Sequence, residues 1–118
     1  MKEDLSSFLP LSPAVLHILL ALAPEDRHGY GIILEVVRQS EGRYKLGPGT
    51  LYDNLEKLMN GSLVEEVSRP KHDDDRRSRY YRLSDLGRRV LNAEISRLEG
   101  LIRKVRPHLR PAAGERTP

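Results

Sequence analysis

A ten-residue segment between two prolines constrains the fold of this chain more than any other feature. Residues 14–23, between Pro13 and Pro24, are apolar on nearly every side of a helix, apart from His17. Ser12 is a typical N-cap and Pro13 suits the first helical position, so a helix begins here and Pro24 ends it. A helix without a polar face must be surrounded by other elements. We therefore expect a small domain built around residues 14–23.

Two amphipathic helices are predicted after this core helix. The first ends at Gly42, and one of its faces is formed by Ile32, Ile33, Val36 and Val37. A short strand over residues 43–46 is predicted to lead into the second, which begins near Pro48 and ends at Gly61. Its buried stripe consists of Leu51, Leu55 and Leu58, at i, i+4 and i+7. The opposite face of this third helix is therefore free for a partner.

A hairpin and a long helix complete the predicted fold. Residues 63–67 and 79–83 are expected to pair as antiparallel strands with a long tip between them. Ser84 is a typical N-cap for a helix that runs to about Arg106, where Pro107 closes it. Five apolar positions in this helix have the 4, 3, 4, 3 spacing of a coiled-coil seam: Leu91, Ile95, Leu98, Ile102 and Val105. Because one helix with such a stripe needs a partner, we assign these five residues to dimerisation.

The composition excludes several classes of protein. At 118 residues the chain has the size of one domain, and no apolar run approaches the ~18 residues of a membrane span. Its first ten residues lack the apolar stretch of a secretory signal, so we expect a cytoplasmic protein. It has no cysteine, and no pair of carboxylates or nucleophile with a base stands out. We predict no enzymatic activity, no cofactor and no metal site.

Charge is distributed unevenly along the chain. Residues 1–67 contain six Lys or Arg and ten Asp or Glu, a net charge of −4, whereas residues 68–118 contain fourteen and seven, a net charge of +7. A basic half is typical of a protein that binds a polyanion, and it also occurs where a helix has a solvated surface. The positions of the arginines distinguish these two interpretations.

The order helix, helix, short helix, hairpin, long helix is that of a winged helix-turn-helix domain, mainly α with a small β-hairpin. Over about residues 10–106 the chain resembles the PadR family of bacterial transcriptional regulators. The stretches that carry the resemblance are Leu11-Ser12-Pro13, His28-Gly29-Tyr30-Gly31, Gly47-Pro48-Gly49-Thr50-Leu51-Tyr52, Leu55 with Leu58, Gly61-Ser62-Leu63-Val64-Glu65 and Tyr80-Tyr81-Arg82-Leu83-Ser84-Asp85-Leu86-Gly87. We divide the chain into an N-terminal lead (1–11), a winged helix-turn-helix domain (12–84), a C-terminal dimerisation helix (85–106) and a disordered tail (107–118).

The resemblance implies a homodimer that represses neighbouring genes by binding an inverted repeat in double-stranded DNA, often with release by a small-molecule effector. The coiled-coil stripe independently predicts the same dimer. A two-fold dimer places its recognition helices roughly 34 Å apart, which predicts a pseudo-palindromic operator. The chain has no Trp, and its five Tyr all lie between residues 30 and 81. An effector pocket at the dimer interface would therefore be aliphatic rather than aromatic.

Four side chains of the third helix are predicted to reach DNA, because they lie on or beside the face opposite its leucine stripe: Thr50, Tyr52, Asn54 and Lys57. The hydroxyls and the lysine charge suit phosphate oxygens, and the Asn54 amide suits adenine N6 and N7. Tyr52 also fits a second interpretation, a half-buried core aromatic with a hydrated hydroxyl. Tyr30, near the start of the second helix, is predicted to place its hydroxyl on a phosphate, with packing as its alternative.

The tip of the hairpin is predicted to contact the flanking DNA backbone through five cations, Arg69, Lys71, Arg76, Arg77 and Arg79. They surround an acidic triplet at residues 73–75 and leave a net charge of +2. Phosphate or minor-groove contact by Arg76 and Arg77 is the preferred interpretation, and a solvated loop with internal ion pairs is the alternative. The triplet and the preceding His72 lack the spacing of an EF-hand calcium loop.

Acidic residues on the third helix support a rival function. Asp53 and Glu56 oppose a polyanion unless they accept hydrogen bonds from cytosine N4 or pair with cations. Members of the resembled family commonly have proline or an uncharged residue at position 53. A winged-helix adaptor that binds a protein instead of DNA would use such acids. The two functions differ in their salt dependence, because only a DNA reader loses affinity for DNA steeply as salt rises.

Overall fold

A computed structural model of the chain describes residues 4–68 and 79–111. A 3₁₀ turn, Ser6–Phe8, comes first, and four helices follow the predicted order: α1 (Pro13–Leu22), α2 (Gly29–Gln39), α3 (Pro48–Asn60) and α4 (Asp85–Val105). Strands β1 (Val64–Ser68) and β2 (Arg79–Leu83) lie between α3 and α4, and a second 3₁₀ turn, Arg106–Leu109, follows α4. The prediction of a mainly helical winged helix with a small hairpin is confirmed.

Helix α1 is the centre of the domain, as its sequence predicts. The Ser12 hydroxyl accepts a hydrogen bond from the Val15 amide at 3.2 Å, and Pro13 occupies the first turn. α1 packs against α2, α3 and α4, and Ile18 and Leu19 are completely buried. The helix therefore supplies the apolar surface on which the other three helices assemble.

The segment predicted as a strand over residues 43–46 is not one. In the described part of the chain, only β1 and β2 form a sheet, and they pair antiparallel with Val64 opposite Leu83. The backbone of Tyr44 is instead bonded to the Ser40 hydroxyl. This hydroxyl accepts a hydrogen bond from the Tyr44 amide at 3.0 Å and donates one to the Tyr44 carbonyl at 3.1 Å. Because one side chain satisfies both groups, this segment needs no neighbouring strand.

The N-terminal lead is also better ordered than the predicted division implies. Four of its apolar side chains pack against the core: Leu5, Phe8, Leu9 and Leu11. The Leu11 amide donates a hydrogen bond of 2.9 Å to the carboxylate of Glu94, which is only 1% exposed in the middle of α4. Residues 5–11 therefore belong to the packed domain.

Helix α4 begins directly on the base of the hairpin. Ser84 caps it by accepting from the Gly87 amide at 2.9 Å and donating to the Ser62 carbonyl at 2.6 Å. A Cβ at Gly87 would overlap the Leu63 carbonyl oxygen and lie 2.9 Å from a methyl carbon of Leu83. Only a residue without a side chain allows this approach.

Two predictions about the C-terminal part need correction. Leu91 is buried in the core of its own chain, with 4% exposure, and Ile95 packs against that core, so Leu91 is not available to a partner helix. The predicted disordered tail begins too early, because residues 106–109 form a 3₁₀ turn. Residues 112–118 lie outside the described residues. Within the described residues, no helix is both long and apolar enough to span a membrane.

Candidate nucleic-acid interface

Helix α3 presents a polar face to solvent because its apolar positions recur on one side. Leu51, Leu55 and Leu58 are buried against the core. The exposed residues of the helix include Thr50, Tyr52, Asp53, Glu56 and Lys57. α2 and α3, with the segment between them, form the two helices of a helix-turn-helix. The face opposite the leucines is therefore the accessible surface of the second helix of that motif.

Asn54 is partly engaged by its own helix. Its Nδ2 donates a hydrogen bond of 2.8 Å to the Thr50 carbonyl, one turn earlier, and the residue is half-buried. Its Oδ1 and the second amide hydrogen are not used by that bond. An oxygen acceptor and one amide hydrogen are the groups that pair with N6 and N7 of adenine. Asn54 therefore lies beside the exposed face rather than at its centre.

The phenol of Tyr52 lies against the first residue of α2. A Cβ built on Gly29 would overlap the Tyr52 hydroxyl oxygen and would lie 2.8 Å from Cζ. Gly29 is buried, whereas Tyr52 is 50% exposed and the adjacent Tyr30 is 64% exposed. The start of α2 and the start of α3 therefore bring two exposed phenols to one end of the helix-turn-helix.

Strand β2 carries the wing residues that border this end. Tyr81 is 5% exposed, and burial raises the pKa of its phenol, which the neighbouring Glu66 carboxylate and Tyr52 phenol raise further. Arg79 lies at the outer end of the same strand, with Nε 3.7 Å from a Glu66 oxygen and a side chain that is 68% exposed. So long and exposed an ion pair leaves the Arg79 guanidinium accessible to another anion.

Backbone and side-chain contacts attach the wing to the segment before α2. The backbone of Arg27 pairs with that of Tyr81 through hydrogen bonds of 3.1 and 2.8 Å. Arg82 donates to the Asp26 carboxylate through both Nε and Nη2, with Nη2 at 3.0 Å from Oδ2. Arg27 therefore forms an isolated antiparallel bridge to strand β2. Sequence analysis missed this attachment, because a single bridging residue in a polar turn has no recurring pattern.

A buried carboxylate holds α2 in place on this framework. Glu35 is 7% exposed, and hydrogen bonds from Arg38 lower its pKa against the opposing effect of burial, with Arg27 lowering it further. Nη2 of Arg27 lies 3.6 Å from Glu35, and its Nε donates to the Ala21 carbonyl at 2.7 Å. Arg27 thus links α1, α2 and the wing.

The charge of the exposed α3 face is mixed. In the described part of the chain, neither Asp53 nor Glu56 forms an ion pair with Lys57 or another cation. Arg43 and Lys45, both exposed on the segment before α3, add cations at its N-terminal end. The sequence prediction omitted these two residues, although their place next to the second helix of the motif was the available signal.

Four of the predicted DNA contacts, Arg69, Lys71, Arg76 and Arg77, lie outside the described residues, as does the segment with His72 and the acidic triplet. Thr50, Tyr52 and Lys57 are exposed on α3, while Tyr30 is exposed on α2 and Arg79 on β2. Among residues 4–68 and 79–111, no three His, Asp or Glu side chains come together as a metal site.

This arrangement of helices and hairpin defines a winged helix-turn-helix protein, and comparisons with known proteins agree. Residues 15–93 match the family described as "Transcriptional regulator PadR-like family". The transcriptional regulator Rv3488 of Mycobacterium tuberculosis is 37% identical over 90 residues, which cover 76% of this chain and 79% of that protein.

Solved structures show the same fold. A PadR family transcription regulator from Clostridium difficile superimposes with a TM-score of 0.69 at 21% identity, covering 84% of this chain and all of that one. A complex structure of RosR from H. salinarum gives a TM-score of 0.59 at 29% identity, and the match covers 84% of this chain and 77% of that one. The chain belongs to the PadR-like family of transcriptional regulators, and it is not an enzyme.

Proposed function

We propose that this regulator acts as a homodimer that represses transcription by binding an inverted repeat in double-stranded DNA. Helix α3 enters the major groove and the hairpin contacts the flanking backbone. The observation that carries this proposal is the face of α3 opposite Leu51, Leu55 and Leu58, where hydroxyl and ammonium groups are exposed and the Asn54 amide lies at the edge. These are the groups that contact phosphates and base edges.

Exposed apolar residues on α4 support the dimer. Ile102 and Val105 from the predicted seam are each 47% exposed, and they are joined by Leu101 at 50% and Leu109 at 72%. These four residues lie on the last two turns of α4 and the 3₁₀ turn beyond it. Since Leu91 is buried in its own chain, the proposed interface lies nearer the C-terminus than the coiled-coil spacing predicts.

The DNA part of the proposal is tested by selecting genomic fragments with the purified protein and titrating the best one across salt. A DNA reader loses ~10³-fold or more in affinity between about 50 and 200 mM salt. A flat response with no selected site would reject DNA binding and favour the adaptor function suggested by the exposed acids Asp53 and Glu56. The same selected fragment then serves to screen small molecules for release, which the effector proposal requires.

Two substitutions separate base reading from backbone contact. Asn54→Ala should reduce discrimination between operator and altered sites by ~1–3 kcal/mol, whereas Arg77→Ala should weaken all sequences and lower the salt slope by about one. Asn60→Ala, at the far end of the same helix, is the matched control and should change neither quantity. Equal loss of specific and nonspecific binding in Asn54→Ala would reject its role as a base reader.

Sedimentation tests the dimer. Ile102→Asp combined with Val105→Asp should yield monomers at concentrations where the wild type is dimeric, because two charges would be buried in the interface. Asn92→Asp, at an exposed position of α4, is the control for added acid and should stay dimeric. A monomeric wild type would reject the proposed interface.

A further inference from the structure

The first residue of α2 has no room for a side chain. At Gly29 an added Cβ would overlap the hydroxyl oxygen of Tyr52 and would approach its Cζ to 2.8 Å and its Cε1 to 3.3 Å. The distances from this Cβ to the hydroxyl oxygen and to Cζ are shorter than those that real Cβ atoms show. Either the phenol or the start of α2 would therefore have to move. The chain can keep Tyr52 in this place only if residue 29 is glycine.

Backbone conformation does not explain the glycine. Among the described glycines, only Gly42 has a positive φ, so Gly29 has a backbone that other residues adopt readily. Glycine also weakens a helix relative to alanine. Two residues later, a Cβ on Gly31 would meet its nearest atoms at 3.5 Å, an ordinary van der Waals distance. A lack of space for a side chain therefore explains the glycine at position 29 but not the glycine at position 31.

The phenol that occupies this space joins two helices. Tyr52 belongs to α3 and rests on α2 at Gly29. The ring is nevertheless 50% exposed. One side of Tyr52 is therefore fixed by the domain, while the other remains open on the face assigned to DNA.

We infer that Gly29 is a positioning residue for DNA binding: by leaving space at the start of α2, it orients the Tyr52 phenol toward the DNA backbone. This inference rests on the proposed function, because it assigns Tyr52 a contact with DNA. The three atoms nearest to a Cβ built at position 29 all belong to Tyr52. An alanine at position 29 displaces the phenol and leaves the rest of the exposed α3 face unchanged.

The test compares Gly29→Ala with Gly31→Ala in operator binding. Displacing one neutral hydrogen-bonding group should lower the affinity of Gly29→Ala about five- to tenfold, while Gly31→Ala binds like the wild type. The slope of log affinity against log salt should stay unchanged, because a phenol releases no counterions. A general disturbance of the DNA-binding face would lower that slope as well.

A double-mutant cycle shows whether Gly29 acts through Tyr52. Tyr52→Ala removes the atoms that a Cβ at position 29 would meet, so Gly29→Ala should have no further effect in that background, even if it folds poorly alone. An equal loss of affinity in both backgrounds, or wild-type affinity of Gly29→Ala, would overturn the inference.

A readout without DNA separates this inference from the proposed function. The ¹³Cζ resonance of Tyr52 in tyrosine-labelled protein should shift in Gly29→Ala and stay in place in Gly31→Ala. An unmoved signal in Gly29→Ala would overturn the positioning role whatever the DNA result. A wild type that fails to bind DNA, with the expected shift present, would instead reject the proposed function and with it the purpose assigned to the positioned phenol.

Discussion

The buried carboxylate of Glu94 joins the N-terminal segment to α4, and its removal should destabilise the domain. It is 1% exposed and accepts the Leu11 amide at 2.9 Å. It also accepts hydrogen bonds from Nε and Nη2 of Arg97, at 2.6 and 3.1 Å. In Glu94→Ala, the partly buried Leu11 amide loses its partner and the N-terminal segment loses its attachment to α4. Glu94→Gln keeps an oxygen that can accept the amide hydrogen.

The magnitude follows from the Leu11 bond. Leaving a buried donor unpaired costs about 1–3 kcal/mol, and the half-exposed Arg97 adds little because solvent screens its charge. A loss of about 2 kcal/mol lowers the Tm of a domain of this size by roughly 8 °C. Glu94→Gln should lose clearly less stability than Glu94→Ala.

Urea and thermal unfolding at one fixed protein concentration measure these differences, since association would otherwise change the apparent stability. Glu99→Ala is the matched control, because Glu99 lies on the same helix and is exposed. It should stay within about 0.5 kcal/mol of the wild type. If Glu94→Ala were as stable as Glu99→Ala, the hydrogen bond between Leu11 and Glu94 would contribute nothing to stability.

The same carboxylate makes stability depend on pH. Hydrogen bonds from Arg97 lower the pKa of Glu94 more than burial raises it, and the Leu11 amide lowers it further. A lowered folded-state pKa stabilises the fold above the ordinary glutamate pKa, about 4.3, and this stabilisation disappears as pH falls through the lowered value. Glu94→Gln should lack this part of the acid dependence.

Three further substitutions test the framework around the candidate interface. His28→Ala should destabilise the domain by about 1 kcal/mol, because the His28 Nδ1 caps α2 at the Gly31 amide, and His28→Asn should restore most of the loss in urea unfolding. Gly87→Ala should abolish or strongly reduce folding, seen by circular dichroism, since a Cβ there overlaps the Leu63 carbonyl. Arg82→Ala should cause a small loss of stability that vanishes at high salt, because its partnership with Asp26 is exposed. A loss that persisted at high salt would contradict that interpretation.

Most of the fold could be predicted from the sequence because its helices begin and end at residues with local physical effects. Ser12 and Ser84 cap α1 and α4, and Pro48 opens α3. Contacts between distant segments could not be predicted in this way. The Arg27–Tyr81 bridge and the Leu11–Glu94 bond each join residues more than fifty positions apart, and neither leaves a periodic trace in the sequence.

The candidate site was predictable to the level of a helix face and no further. The leucine spacing of α3 identified which side chains are exposed, and the structure places Thr50, Tyr52 and Lys57 there. Periodicity gave no indication that Asn54 would bond its own helix, or that Leu91 would be buried within one chain. Both depend on local rotamers and on neighbouring elements that spacing does not describe.

Because Gly87 lies in close contact with Leu63, the start of α4 and the base of the wing should move together as one rigid unit. The helix has 21 residues and so extends about 32 Å from the base of the wing. In the proposed dimer, a change of about 10° in the crossing angle of the two α4 helices would displace the two wings relative to each other by roughly 5 Å at that length. Substitutions at the far end of α4 should therefore alter the half-site spacing that the dimer selects, although they touch no DNA.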